Sequence, residues 1–376
     1  RLSSSSVGTK FGTVQMTLRF QNSTNGAGPS SQPAPTPDRP KSPHYSYRFN
    51  NGVLERKGSL DNSWRASSDF ENGIHPIRAA AYANVKAQAR TTQSAGIDWL
   101  IGANAPAGMV ESYRIQAANA LRFLPLENLK TPIQVMIVSE KDRNTVQEFW
   151  SSYWGGTETI IRINSALDNF DVNQASRSVA GAAGARTSKA TNNTTVGIDF
   201  YVGSQHQVES HLIVDHVAHE MVHVWQFFSF GQTEMRTTPG PNVMALLPCH
   251  LMEGGANALG VPISTPHADW HSEAMDVIVR RVLRDIGSSS PNREQVVRFM
   301  IESENWSSCQ AGYGIGALAH EWLIGSFGVE KFFRLYPETI RAGSFDSALR
   351  SVYGMDRSEF YERSSAYVVE AIALTR

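Results

Sequence analysis

The stretch DHVAHEMVHVWQFF, residues 215–228, contains an H-E-x-x-H pattern at His219, Glu220 and His223. Residues four apart on an α-helix lie on the same face, one turn from each other. The two imidazoles therefore project side by side, as two ligands of a tetrahedral zinc ion do. Glu220 lies on the same side and can take a proton from a water that the metal activates, without being a ligand itself.

The sequence around the motif favours a metal site over two ordinary core histidines. Apolar residues cover several sides of this predicted helix, which is typical of a buried helix. Two imidazoles and a carboxylate are unfavourable to bury together without partners, and a metal ion supplies the partner. The string alone arises by chance in roughly one or two such chains per hundred, so the buried setting carries the interpretation.

A candidate third ligand follows in CHLMEGGANALG, residues 249–260, which contains Glu253. Gly254 and Gly255 come directly after it in a segment that otherwise predicts a helix. Glycine inside a helix costs about 1 kcal/mol relative to alanine, so we expect another backbone or a substrate to approach closely there. The alternative is an exposed helix glutamate, since most glutamates are solvated.

Strand-like segments precede helix-like segments along the chain. The β-branched residues of 131–140, 158–164 and 194–204 predict strands, and the Gly-, Ala- and Asn-rich sequence between the last two predicts a loop. A helix is predicted at 107–124, before these strands. The later helices are predicted at about 206–230, 250–260, 267–287, 291–302, 311–327, 329–336, 344–353 and 356–373. This order favours an α+β fold over a doubly wound sheet.

The N-terminal region is predicted to contain a linker and an extension. Residues 1–44 are rich in Pro, Ser, Gly and Asn, which predicts a disordered or polyproline-like segment, with a long surface loop as the alternative. Residues 45–49 and 53–56 flank an Asn-Asn-Gly hairpin signal, and 76–92 predicts a helix that begins with proline. The extension, 45–106, either covers a cleft as a pro-segment would or enlarges the core.

Composition excludes several classes of partner. The 34 basic and 35 acidic side chains give a net charge of −1 and form no basic block, so nucleic acid and anionic membranes are not expected partners. No apolar run reaches the length of about 18 residues that a membrane-spanning helix needs. The oligomeric state is not indicated by the sequence.

These motifs resemble the gluzincins, and among them the peptidase MA-like domain family, which has H-E-x-x-H on one helix and E-G-x-A on a second. Here the second part is EGGA, starting at Glu253. The resemblance covers 107–376 and implies a zincin-like, thermolysin-like catalytic domain with a small mixed sheet followed by a mostly helical C-terminal half. It implies zinc held by His219, His223 and Glu253, with Glu220 as the general base.

Two further site residues are implied by the same resemblance. YGIGA, starting at Tyr313, resembles the Y-x-x-G-A of aminopeptidase N relatives, whose tyrosine donates a hydrogen bond to the developing oxyanion. Asn257, one turn after Glu253, resembles the position of a residue, usually an acid, that orients the first histidine. His250 replaces the aromatic residue that the family often has three positions before the glutamate, a departure that concerns packing.

The resemblance departs from the family at the substrate-binding strand. Aminopeptidases of this group use G-x-M-E-N, whose glutamate holds the substrate amine, and the nearest stretch here, VAGAAGAR at 179–186, has no acid. Aminopeptidase activity is therefore disfavoured. The family also implies that the strand at about 196–202 is the sheet edge that pairs with an extended substrate.

The remaining histidines are not expected to be principal metal ligands. His267 and His271 form a second pair four residues apart and are a minor candidate for a metal site. The string HEWLI at 320–324 lacks the second imidazole. His216 is expected to make a hydrogen bond rather than bind metal.

Cys249 and Cys309 each precede a proposed site residue, Glu253 and Tyr313, by four positions. If both segments are helical and both site residues face one zinc, the two thiols are neighbours. We predict a disulfide, and with it secretion or a place in the cell envelope, although no signal peptide is visible in this chain. The alternative is two free buried thiols in a cytosolic protein.

The favoured function is a zinc-dependent metallopeptidase that acts on a peptide or protein substrate. The alternative is a non-catalytic, zinc-stabilised binding module with a degenerate peptidase fold. Structural zinc sites usually have four protein ligands, whereas the sequence offers three and an intact general base, which favours catalysis.

Overall fold

The structure is a computed structural model that describes residues 45–50, 53–58, 65–66, 74–90, 95–152, 179–187, 190, 194–202, 216–230, 246–306 and 309–375. The N-terminal segment 1–44, the strand expected at 158–164 and the beginning of the helix expected from 206 lie outside these residues.

A small antiparallel sheet comes first in the described chain. Strands β1 (Tyr45–Asn50) and β2 (Val53–Gly58) pair along their whole length, and the short β3 (Arg65–Ala66) pairs with β2. The hairpin expected around Asn-Asn-Gly is therefore confirmed.

The main sheet has four described strands, namely β4 (Ile97–Ile101), β5 (Ile133–Ser139), β6 (Val179–Thr187) and β7 (Thr194–Val202). Their order is β4-β5-β7-β6, with the first three parallel and β6 antiparallel to β7. Most of β5 is buried, as expected for a parallel strand covered on both faces.

Two expectations about this sheet are wrong. The stretch VAGAAGAR, expected in a loop, forms β6, and β7 is interior because β5 and β6 flank it. Small residues are uncommon in strands, but packing requires them here. A Cβ on Gly181 would collide with His216 and lie 2.8 Å from Oε1 of Glu220, so β6 lies directly against the H-E-x-x-H helix.

The rest of the described chain is mostly helical, as the sequence predicts. The helices are α1 (Pro76–Lys86), α2 (Ala107–Leu121), α3 (Arg143–Ser151), α4 (His216–Ser229), α5 (Gly255–Ser264), α6 (Ala268–Ile286), α7 (Arg293–Glu302), α8 (Cys309–Phe327), α9 (Val329–Ala342), α10 (Phe345–Tyr353) and α11 (Arg357–Leu374). Local sequence signals determine where many of these helices begin and end. Asn292 forms a capping box at the start of α7, and Gly287 ends α6 with φ of 70°.

Helix α8 lies at the centre of the helical region and contacts α1, α5, α6 and α11. The apolar side chains of these helices form one core with the sheet face that carries α4. Ala81 and Val85 of α1 are buried in that core, so α1 is part of it. A smaller cluster under α3 covers the other face of the sheet. No helix in the described ranges is both long and apolar enough to span a membrane.

Candidate metal centre

Helix α4 presents two imidazoles from a fully buried position, as its apolar sequence predicts. His219 Nε2 and His223 Nε2 lie 3.0 Å apart, and each lies 3.4 Å from Oε2 of Glu253. All three side chains are buried. Within the described part of the chain, this is the one group of three or more His, Cys, Asp or Glu residues that can hold a metal ion.

Glu253 reaches this point from a π-helical turn, His250–Gly254, that leads into α5. Such turns are rare and frequently occur at functional sites. A Cβ on Gly254 would collide with the backbone of Gly316 in α8, and a Cβ on Gly255 would collide with the hydroxyl of Tyr336. The close approach of another backbone that was expected at this glycine pair is therefore confirmed at Gly254, whereas the neighbour of Gly255 is a side chain.

Asn257 determines which ring nitrogen of the first histidine, His219, carries the hydrogen. His219 Nδ1 lies 2.7 Å from Oδ1 of Asn257, whose Nδ2 donates to the carbonyl of Tyr313 at 3.1 Å. The second contact fixes which end of the amide faces the imidazole, so Oδ1 must accept a hydrogen from Nδ1. Nε2 of a neutral His219 then offers a lone pair towards Glu253.

Gln226 fixes the tautomer of the second histidine, His223, in the same way. Its Oε1 lies 2.6 Å from Nδ1 of His223, and its Nε2 donates to the carbonyl of Met252 at 3.0 Å. Gln226 was not predicted as a site residue, although a lone amide inside the apolar run VWQFF is a signal that a buried polar partner exists. Nε2 of a neutral His223 therefore also presents a lone pair to the centre.

The centre thus brings together two imidazole lone pairs and a carboxylate oxygen in a buried place. Oε2 of Glu253 has no hydrogen-bond partner among the described side chains and backbone. Burial raises the pKa of Glu253, but His223 and His219 in their protonated forms would outweigh this and hold the pKa at about 2, so the carboxylate calls for positive charge beside it. Three acceptors that face one another require positive charge, and a metal ion fits that requirement.

Glu220 lies beside the three ligand atoms without being one of them. It is completely buried between α4 and β6, where Gly181 makes room for it. Burial raises the pKa of Glu220 to about 8, and His223 opposes this while Glu253 and Asp199 add to it. A buried acid with a raised pKa next to a metal-binding group is typical of acid–base catalysis.

Tyr313 completes the group of expected site residues. Its ring stacks on the imidazole of His219, with centroids 5.9 Å apart and planes 11° apart. Burial and then the charge of Glu253, to which the hydroxyl is hydrogen-bonded, raise its pKa well above the usual value. The structure therefore brings the three candidate ligands, Glu220, Asn257 and Tyr313 to one place.

The disulfide between Cys249 and Cys309 is present, with Cα atoms 5.4 Å apart. It joins the residue before the π-turn to the first residue of α8. A Cβ on Gly312 would lie 3.0 Å from Sγ of Cys249, so the helix and the turn are in close contact here. The predicted staple between the turn of Glu253 and the helix of Tyr313 is confirmed.

The other histidines take structural positions. His216 Nδ1 lies 3.2 Å from the hydroxyl of Tyr113, which fits the expected hydrogen bond. The minor metal-site candidate at His267 and His271 finds no support among the described residues, because Nε2 of His271 lies 3.0 Å from Oε1 of Glu321 and the pair joins no group of metal-binding residues there. The imidazole of His320, in HEWLI, stacks on Phe360.

Comparisons of the chain with protein-family models, with curated proteins and with solved structures gave no match. The geometry of the site is therefore the basis for a function.

Proposed function

We propose that the protein is a zinc-dependent metallopeptidase of the gluzincin type that hydrolyses peptide bonds in peptide or protein substrates. The observation that carries the proposal is the convergence of His219, His223 and Glu253 beside Glu220, a buried acid that is not a ligand. Catalytic zinc sites keep three protein ligands and an open position, whereas structural sites usually have four.

The ligand set and its spacing support zinc. Two imidazoles and a carboxylate are a common catalytic zinc set. A tetrahedral ion with bonds of about 2.0–2.1 Å places its ligand atoms about 3.3 Å apart. The separations of 3.0, 3.4 and 3.4 Å between the atoms of His219, His223 and Glu253 agree with this value.

Each protein group has a role in hydrolysis. Zinc held at this site would supply Lewis acidity to the scissile carbonyl and to the attacking water. The positive charge of the metal would favour the ionised form of Glu220, which removes a proton from that water and later gives it to the leaving amine. Tyr313 donates its hydroxyl hydrogen to the oxyanion that develops on the carbonyl. Asn257 holds His219 in the tautomer that leaves Nε2 available.

The antiparallel strand β6 is the proposed place for substrate. Among the described strands it pairs only with β7, and its sequence of small residues lies against α4 beside Glu220. An extended peptide can add to such an edge through backbone hydrogen bonds. The absence of an acid in 179–186 argues against a substrate held by its free amino group. The mixed sheet with this edge strand, followed by helices, supports a zincin-like fold.

The alternative is a non-catalytic module in which zinc stabilises a degenerate peptidase fold. The observation in its favour is the near-complete burial of all three ligands. Zinc content is the same under both proposals, so only hydrolysis distinguishes them.

The deciding experiment compares wild type with Glu220→Gln on an unfolded protein substrate. We expect Glu220→Gln to keep about one zinc per chain by elemental analysis and to lose hydrolysis, because the base is not a ligand. Glu330→Gln is the control, since Glu330 is an exposed helical glutamate outside the metal centre, and it should keep both zinc and hydrolysis. Equal hydrolysis by wild type and Glu220→Gln would exclude this mechanism, and wild type without zinc would exclude the metal.

We infer in addition that the chain folds in an oxidising compartment, as a secreted or cell-envelope protein does. The disulfide Cys249–Cys309 supports this, because such bonds seldom persist in a reducing cytosol. Thiol titration of the denatured, unreduced protein should find no free thiol, and two titratable thiols would contradict the inference.

A further inference from the structure

We propose that Gln226 and Tyr336 form a positioning pair that ties the second histidine ligand to the turn carrying Glu253. The pair would hold the three ligand atoms at metal-binding distances before an ion arrives. This inference rests on the proposed metal site, but not on the proposed hydrolysis.

Both the oxygen and the nitrogen of the Gln226 amide form hydrogen bonds, and the side chain is completely buried. Oε1 accepts from Nδ1 of His223 at 2.6 Å, while Nε2 donates to the carbonyl of Met252 at 3.0 Å and to the hydroxyl of Tyr336 at 3.1 Å. Two of these partners are a metal ligand and the residue directly before another metal ligand. One side chain therefore joins α4 to the π-turn.

Tyr336 extends the connection from α9. Its hydroxyl accepts from Gln226 and donates to the carbonyl of Leu251 at 2.7 Å. The ring is held by Trp225, with ring centroids 4.8 Å apart and an edge-to-face arrangement. The hydroxyl also occupies the space that any side chain at position 255 would need, so Gly255 is required for this contact.

These contacts do more than satisfy buried polar groups. The carbonyls of Leu251 and Met252 already accept from the backbone N–H of Gly255. The side-chain hydrogen bonds therefore come in addition, and they fix the turn relative to His223. A rotation of the turn away from α4 would break the hydrogen bonds from Gln226 and Tyr336 together. Preorganised ligands bind a metal more tightly, and loss of such outer partners typically weakens metal binding by about 10–100-fold.

The test measures zinc affinity by competition with a chelator, and separately the unfolding of the metal-free protein. We expect Tyr336→Phe, which removes only the hydroxyl, and Gln226→Met, which keeps the length of the side chain, each to raise the zinc Kd by about 10–100-fold. Tyr336→Phe keeps the proposal testable if Gln226→Met does not fold.

Tyr367→Phe is the matched control, because Tyr367 is a buried helical tyrosine whose hydroxyl donates to Glu321. We expect it to destabilise the metal-free protein and leave the zinc Kd within about twofold of wild type. Equal zinc affinity in Tyr336→Phe and wild type, or an equal loss in Tyr367→Phe, overturns the positioning role. Wild type that binds no zinc overturns the metal site as well, whereas zinc binding without hydrolysis contradicts only the proposed function.

Discussion

The hydroxyl of Tyr313 is subject to opposing electrostatic influences. Burial, and then the negative charge of Glu253, raise the pKa of the phenol well above its usual value. The guanidinium of Arg281, whose Cζ lies 5.5 Å from the centre of the ring, acts in the opposite direction. Since the net effect is a strongly raised pKa, Tyr313 stays protonated at neutral pH and remains a hydrogen-bond donor.

This donor role predicts that Tyr313→Phe keeps its zinc and slows turnover by about 10²–10³-fold, the usual effect of losing one oxyanion donor. The measurement is kcat on a peptide substrate together with metal content. Tyr353→Phe is a control, because the hydroxyl of Tyr353 is buried without a hydrogen-bond partner among the described groups. Loss of zinc from Tyr313→Phe, or turnover close to that of wild type, would contradict this role.

The sequence located the site residues whose spacing is set by one helix or by a known motif. His219 and His223 are four residues apart, and helix geometry alone places them together. Gln226 and Tyr336 were missed because their roles depend on a contact between residues 110 positions apart. Such a contact is determined by how α4, α9 and the turn pack, and local periodicity does not contain that information.

At the level of elements, helices were predicted better than strands because their ends carry local signals. Ser344 caps α10 and Asp356 caps α11, each accepting from a backbone N–H three residues later. Strand β6 has β-branched residues only at its two ends, Val179 and Thr187, and it becomes a strand through pairing with β7. Whether a strand lies at the edge of a sheet depends on its neighbours, so β7 was wrongly placed there.

The disulfide joins two elements and predicts a measurable loss of stability when it is removed. The bond Cys249–Cys309 closes a loop with a sequence separation of 60. We expect the double variant Cys249→Ser, Cys309→Ser to lose about 2–4 kcal/mol of unfolding free energy, mainly because its unfolded chain is less restricted. Denaturant titration measures the difference. Added dithiol reductant should destabilise wild type and leave the double variant unchanged, and an equal response of both proteins would contradict the prediction.

Across the whole molecule, α8 connects the metal centre to a buried charged cluster on its other side. Glu321 accepts from the hydroxyl of Tyr367 and lies 3.2 Å from Nε of Arg78, which belongs to α1. Arg78 also donates to Asp276 of α6 at 2.7 Å. One network thus joins α1, α6, α8 and α11, and breaking a buried ion pair by removing one partner typically costs about 3–5 kcal/mol.

A second buried group, formed by His250 and His320, makes stability depend on pH. His250 Nδ1 lies 3.5 Å from His320 Nε2, and its Nε2 lies 2.8 Å from the hydroxyl of Tyr361. Burial, and then the charge of Arg357, lower the pKa of His250 to about 3, and burial with His250 as neighbour lowers the pKa of His320 well below its usual value. Both imidazoles are therefore neutral in the folded protein.

The buried neutral histidines stabilise the folded protein less as the pH falls. The folded pKa of His250 lies below the unfolded value of about 6.5, so at intermediate pH the unfolded chain binds more protons. The stability is fully present above pH ~6.5 and is lost as the pH falls towards the folded pKa. Glu220 changes the stability in the opposite direction over this pH range, because its pKa is raised in the folded protein. The pH dependence of the unfolding free energy of wild type alone therefore does not isolate the contribution of the histidine.

We therefore predict a difference between wild type and His250→Gln, measured on metal-free protein by denaturant unfolding from pH 6 to pH 4. The amide of the variant does not titrate and keeps a polar atom near the hydroxyl of Tyr361. The unfolding free energy of wild type should fall by about 1 kcal/mol more per pH unit than that of the variant, close to the linkage of one proton. The exposed His267→Gln, outside this group, should keep the wild-type slope. Parallel pH profiles for wild type and His250→Gln would show that the buried imidazole does not limit stability in acid.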